Sequence, residues 1–240
     1  DGSALFAFLF GLPGFFEPRV PPAWSYPTGA PQSLSMYDTA PLRRTLLELI
    51  DFDLVNARKT RLSVGAVNIR SGNFIYFDNE KREILPEHIV ASSGLPPGFP
   101  PVEIEGEYYW DGGLVSNTPL QHLLDQDDRL NSLVFQVDLF SARGTLPRDI
   151  QEVMARHKDI VYSSRTRYNT DVHARMNELK TSLYKALAKV PEEQLTDEER
   201  KTRDHLADLP EIAILQLIYQ QKAYEGHAKD HEFSSTSMRE

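Results

Sequence analysis

Residues 90–120 read VASSGLPPGFPPVEIEGEYYWDGGLVSNTPL, and Asp111 is the most informative residue among them. Its carboxylate follows residues 107–110, a short aromatic-rich segment that is typical of a β-strand. It precedes Gly112 and Gly113, which let the backbone turn sharply and approach other parts of the chain closely. Asp-Gly is also a common hairpin turn, so the triplet alone predicts a turn rather than a catalytic carboxylate.

The motifs around this triplet favour the catalytic interpretation. They are Ala-Ser-Ser at residues 91–93, Phe-Pro-Pro at 99–101, Asp-Gly-Gly at 111–113 and Asn-Thr-Pro at 117–119. In this order and near this spacing they resemble the second half of a patatin-like phospholipase domain. The resemblance is densest over residues 90–120 and looser over about 33–140, and the long tail is similar to that of one bacterial subgroup of the family.

The resemblance implies a serine–aspartate dyad. In the family, the aspartate of Asp-Gly-Gly activates a serine on a Gly-x-Ser-x-Gly elbow, and an early glycine-rich loop supplies the amides that stabilise the oxyanion. Asp111 is then the general base, and Gly112 and Gly113 set its backbone. The implied substrate is a lipid or another hydrophobic acyl ester. No cofactor and no metal ion are implied.

The chain departs from the family pattern because it contains no Gly-x-Ser-x-Gly sequence. The nearest segment, residues 90–94, lacks the first glycine, so Ser92 and Ser93 are predicted to be helix-end or turn hydroxyls. Gly11-Leu12-Pro13-Gly14 holds a proline and does not resemble an oxyanion loop. We therefore expect the serine, the oxyanion loop and the first strands to precede Asp1 in a longer polypeptide. The alternative is a non-catalytic interaction or regulatory module on the same scaffold.

The predicted fold is α/β, with a central, mostly parallel sheet flanked by helices and a carboxyl-terminal helical extension. Residues 1–145 are expected to form the carboxyl-terminal portion of the catalytic domain, and residues 146–240 the extension. Apolar periodicity and turn residues predict the elements of the first part. These are helices over residues 39–50, 86–91 and 119–124, hairpins over 61–77 and 102–110, and a buried central strand over 132–139.

The extension has helical periodicity over residues 147–170 and 171–189, with further helix starts near Pro191 and Thr196. Residues 212–219 are apolar enough to form a strand. The basic residues of the long helices, Arg156, Lys158, Arg165, Arg167 and Arg175, fit either an anionic-lipid or phosphate surface, or a solvated face with interspersed acids.

An aromatic run precedes these elements. Residues 4–16 are densely aromatic, and residues 18–31 contain five prolines. They are interpreted either as an apolar flap that contacts lipid or as a buried connection.

Composition restricts the partners. The net charge of −9 argues against nucleic-acid binding, which needs a basic face. The absence of cysteine excludes disulfides and suits a cytoplasmic protein. No apolar tract is long enough for a transmembrane helix. Peripheral membrane contact and self-association are the remaining expectations. His227 and His231 are four residues apart but lack a third metal ligand nearby.

Overall fold

The structure is a computed structural model that describes residues 2–125 and 131–219. The chain divides into two compact units, and the division falls between Asn117 and Thr118. The predicted domain boundary after residue 145 stays a prediction, because this division does not test which parts of the chain fold independently. His227 and His231 lie outside the described residues.

The first unit is built on a four-stranded antiparallel sheet with the strand order β4-β3-β6-β5. Both predicted hairpins are confirmed, because a short turn joins β3 to β4 and another joins β5 to β6. The predicted helix before the Pro-rich turn is also confirmed, as α4. The bounds are β3 Ser63–Asn68, β4 Phe74–Asp78, α4 Pro86–Ser92, β5 Val102–Ile104 and β6 Glu107–Asp111.

The core of this unit lies between the sheet and α4. Ala66, Phe77, Ile84, Ala91 and Ile104 form one buried apolar cluster. Ala66 and Ala91 are fully buried, so the sheet and the helix approach closely at these small side chains. This contact fixes the end of α4 relative to strands β3 and β6.

The remaining elements of the first unit come earlier in the chain. The helix predicted near residue 39 is confirmed as α2. A short helix, α3, was not predicted, and the Asp51 side chain caps it by accepting a hydrogen bond from the Leu54 N–H at 2.9 Å. The bounds are α1 Gly2–Phe10, β1 Glu17–Pro18, β2 Tyr37–Asp38, α2 Ala40–Leu49 and α3 Phe52–Asn56.

The aromatic run has two different environments. Phe16 is buried, and its ring lies 4.8 Å from that of Tyr37 and 5.4 Å from that of Phe99. Most large side chains of α1, such as Phe6 and Phe10, are instead exposed. The buried-connection interpretation therefore fits Phe16. The flap interpretation stays a prediction for α1 and for the Pro-rich loop, where Val20 and Trp24 are exposed.

The second unit contains a long helix and a two-stranded parallel sheet. Two helices were predicted between residues 147 and 189, and this prediction is wrong because α6 is continuous over 38 residues. Thr170 and Asp171 resemble a helix start, but no Gly or Pro interrupts the backbone hydrogen bonds there. The bounds are α5 Leu120–Leu124, β7 Ser132–Asp138, α6 Ile150–Leu187, α7 Asp197–Ala207 and β8 Ile212–Ile218.

The α/β class is confirmed, but the mostly parallel central sheet is not found among the described residues. Short turns join the strands within each hairpin of the first unit, and such turns can connect only antiparallel neighbours. Strands β7 and β8 are parallel because α6 and α7 lie between them in sequence. Strand β7 is also not the predicted buried strand, since Leu133, Phe135 and Val137 are exposed. No helix in the described part of the chain is long and apolar enough to cross a membrane.

Candidate active site

Asp111 is the last residue of β6, and the backbone on both sides of it is fixed. It pairs with Ala66 of β3 across the sheet. Its N–H donates to the Gly94 carbonyl oxygen at 3.1 Å, which ties it to the turn after α4. A 3₁₀ turn, Gly112–Leu114, begins at the next residue. The sequence thus predicted the position of this carboxylate at a strand end correctly.

The glycine after Asp111 is required by close packing. A Cβ atom on Gly112 would lie 2.7 Å from the Gly65 carbonyl oxygen and 2.9 Å from the Phe74 ring. Gly65 in turn lacks a Cβ where the Phe74 ring packs. Because a backbone carbonyl cannot move aside easily, any larger residue at position 112 would displace the turn that carries Asp111.

The carboxylate itself is half-buried and held by one hydrogen bond. The Gly113 N–H donates to Asp111 Oδ1 at 2.7 Å. Within residues 2–125 and 131–219, no other group donates to this carboxylate. One oxygen is therefore fixed in orientation, while the second has no donor within the described residues.

Burial raises the pKa of the Asp111 carboxyl, and the hydrogen bond from the Gly113 N–H offsets part of this rise. A higher pKa makes the ionised carboxylate a stronger base than an exposed aspartate. The same burial means that the charged form is disfavoured by its surroundings. A carboxylate kept in such a position is typical of a functional site.

Ser92 and Ser93, in the segment most similar to Gly-x-Ser-x-Gly, form no hydrogen bond with this carboxylate within the described residues. Ser92 is the last residue of α4. The Ser93 hydroxyl donates to the Val90 carbonyl oxygen at 3.1 Å, so it serves the end of the helix, as predicted. The described residues therefore bring Asp111, Gly112 and Gly113 together, and no serine hydroxyl among them donates to the Asp111 carboxylate.

The Pro-rich turn between α4 and β5 packs closely against neighbouring backbone segments of the site. The Gly98 carbonyl oxygen accepts a hydrogen bond from the Tyr37 N–H at 2.9 Å, and the Pro97 carbonyl oxygen accepts one from the Met36 N–H at 3.1 Å. A Cβ atom on Gly94 would lie 3.3 Å from the Pro100 carbonyl oxygen. The turn between α4 and β5 is thus packed tightly at the residue that bonds Asp111.

Sequence reasoning missed Gly65 and Gly94 as parts of the site. Gly65 could have been found, because a glycine inside an otherwise apolar strand marks a close approach of another segment. Gly94 follows a helix and precedes prolines, so a turn explains it without any role at Asp111. Its backbone contact is visible only in three dimensions.

A half-buried carboxylate at a strand end, beside two closely packed glycines, defines a candidate acid–base site in a mixed α/β protein. The family profile described as patatin-like phospholipase matches residues 12–124, which include this site. A second profile, described as patatin phospholipase, matches residues 160–240. The predicted family is confirmed, and over both stretches the chain belongs to the patatin-like phospholipases. A search of curated proteins found no match.

Proposed function

We propose that the chain is part of a serine acyl-ester hydrolase in which Asp111 is the general base. The family matches suggest a lipid acyl hydrolase. The observation that carries the proposal is the Asp111 carboxylate, with a pKa raised by burial and one oxygen held by the Gly113 N–H. The serine and the oxyanion loop would come from a segment outside residues 1–240. That segment would also supply the parallel strands expected of the family.

In the proposed reaction, Asp111 accepts the proton of the serine hydroxyl while the serine oxygen bonds to the ester carbonyl carbon. The tetrahedral oxyanion then re-forms the carbonyl and expels the alcohol oxygen, which takes the proton from Asp111. Water, deprotonated by the same carboxylate, next attacks the acyl-serine carbonyl carbon. The tetrahedral intermediate collapses, and the departing serine oxygen takes the proton from Asp111. The products are a carboxylic acid, an alcohol and the free serine. The raised pKa of Asp111 suits proton transfer in both directions. A catalytic group is most effective when its pKa lies close to the pH at which the enzyme works.

The second candidate function is a non-catalytic interaction or regulatory module. The observation in its favour is that the sequence holds no Gly-x-Ser-x-Gly elbow. The half-buried Asp111 would then have no catalytic role in this scaffold. A Gly-x-Ser-x-Gly segment encoded upstream of Asp1 would decide for the hydrolase.

Residues 1–240 alone are expected to hydrolyse a short-chain nitrophenyl ester no faster than a buffer control, because a general base without its nucleophile does not form an acyl-serine. The measurement is the release of nitrophenol by the purified 240-residue chain. Robust hydrolysis that a serine reagent blocks would contradict this expectation. It would also make Ser92 and Ser93 the first residues to substitute.

A further inference from the structure

One side of helix α6 is a continuous exposed line of apolar side chains. Ile150, Val161, Val172 and Leu183 are spaced by eleven residues, which is close to three turns of an α-helix, so they lie along one line. Four more apolar residues fall on the same side. The eight together, here named the α6 stripe, are Ile150, Met154, Val161, Tyr168, Val172, Met176, Leu179 and Leu183, and all are exposed, from 38% at Val161 to 71% at Ile150.

The opposite side of α6 is polar and faces its own unit. Arg156, Ser163 and Thr170 are spaced by seven residues and lie about 180° from the stripe. The Arg156 guanidinium donates to the carbonyl oxygens of Ser141 and Ala142 at 3.1 and 2.6 Å. The Thr170 hydroxyl donates a hydrogen bond to Gln136 Oε1 of β7 at 3.3 Å. The Ser163 side chain is only 1% exposed.

This orientation is the reverse of that of an ordinary surface helix, which turns its apolar side inward. The stripe is about 50 Å long at the usual rise per residue. An apolar surface of this length on the outside of a helix marks a contact with a partner.

The charges beside the stripe indicate which partner. Helix α6 carries seven Lys and Arg against four Asp and Glu, a net charge of +3, whereas the whole chain is at −9. Arg175 and Lys180 flank the stripe on its two sides, and neither forms an ion pair with any residue that the structure describes. Apolar side chains bordered by unpaired cations are the pattern of a helix that lies in the surface of an anionic membrane.

The same charges disfavour a second copy of the helix as the partner. Antiparallel pairing of two stripes, with Val161 opposite Val172, would put Lys158 of one copy opposite Arg175 of the other. Parallel pairing would put each of these cations beside its own equivalent. Like charges at a helix–helix contact oppose association, whereas an anionic surface would attract every one of them.

We propose that the α6 stripe binds the surface of membranes that contain anionic lipid, with its apolar side chains in the headgroup region and Arg175 and Lys180 on the lipid phosphates. The contact is centred on residues 168–179, because the end of the stripe at Leu183 borders a groove that also holds Glu198 and Glu199. Of the basic residues named in the sequence analysis, only Arg175 belongs to this proposed contact. Arg156 faces inward, and the Lys158 ammonium lies 5.4 Å from the centroid of the Phe140 ring. The side chains of Arg165 and Arg167 lie outside the described residues.

Sedimentation with vesicles tests the proposal. The 240-residue chain is expected to sediment with vesicles of equal parts phosphatidylcholine and phosphatidylserine, and not with phosphatidylcholine alone. Leu179→Glu should abolish this binding. Thr181→Glu adds the same charge to an exposed position on the other side of α6 and should leave binding within about twofold of the unsubstituted chain. The Arg175→Gln/Lys180→Gln double variant, which does not depend on the apolar contact, should weaken binding by about fivefold or more per cation.

Three results would overturn the proposal. The first is equal sedimentation with neutral and mixed vesicles, or with neither. The second is a thermal unfolding temperature clearly lower for Leu179→Glu than for Thr181→Glu, which would mean that the stripe is packed inside the protein. The third is a dimer in analytical ultracentrifugation that Leu179→Glu dissociates while vesicle binding persists, which would identify a second copy as the partner. Ester hydrolysis is not measured in this experiment, so its result is independent of the proposed function.

Discussion

Asp111→Asn is expected to lower kcat/KM for ester hydrolysis by about 10³-fold or more, because the amide cannot accept the serine proton. The variant is made in the longer polypeptide that, by our proposal, carries the serine, and hydrolysis of a short-chain nitrophenyl ester is measured. Asp53→Asn is the matched control, since Asp53 is an exposed carboxylate on α3. Near-normal hydrolysis by Asp111→Asn would contradict the assignment of the base.

The stability of the same variant distinguishes catalysis from folding. Because burial raises the pKa of Asp111, the folded protein binds a proton at this group more tightly than the unfolded chain does. The contribution of Asp111 to the free energy of unfolding is present at low pH. It is lost as the pH rises through the pKa that Asp111 has in the folded protein. At neutral pH the neutral amide should therefore leave the unfolding temperature equal or higher. An inactive but strongly destabilised variant would mean that Asp111 is structural.

Arg61→Met is expected to lower the free energy of unfolding by about 3 kcal/mol, because it leaves a buried carboxylate without its cation. The Arg61 guanidinium donates to Asp78 Oδ2 at 2.8 Å, and the Asp78 side chain is 1% exposed. Arg43→Met is the control, since the Arg43–Glu87 pair is exposed to solvent and its loss should cost less than about 1 kcal/mol. Urea unfolding at neutral pH measures both. An equal loss in the two variants would contradict this account.

The pH dependence of the wild-type chain should report the same pair. Burial alone would raise the pKa of Asp78, but hydrogen bonds from Arg61, Ser63 and the Glu80 N–H, together with the charge of Arg61, lower it to about 2. A lowered pKa gives stability that is present above the unfolded value of 3.8 and is lost as the pH falls towards 2. In Arg61→Met this loss should begin at higher pH.

The sequence predicted local elements well because their signals are local. The hairpins that became β3–β4 and β5–β6 have turn residues between apolar runs, and the Thr196 capping box marks the start of α7. The Asp-Gly-Gly triplet likewise predicted a turn, and its flanks predicted the family. In each of these signals, the residues that interact are only a few positions apart in the sequence.

The failures concern long-range packing. Residues 132–139 are mostly apolar, and from sequence alone such a run predicts a buried strand. In the structure, however, Leu133, Phe135 and Val137 of β7 are exposed. The break expected near residue 171 rested on helical periodicity over two separate ranges, but α6 continues through this position, where the Thr170 hydroxyl donates to Gln136 of β7. Gly65 inside an apolar strand signals a close approach, but the identity of its neighbour, Gly112, depends on strand pairing between distant segments, which no local pattern encodes.

The most direct test of the central claim, that Asp111 activates a serine, is labelling of the longer polypeptide with a fluorophosphonate, followed by mass spectrometry of the labelled peptide. We predict a single labelled serine outside residues 1–240, and a labelling rate that Asp111→Asn lowers by about 10³-fold or more while Asp53→Asn leaves it unchanged. A labelled serine within residues 1–240, or equal labelling rates in the wild type and in Asp111→Asn, would contradict the claim.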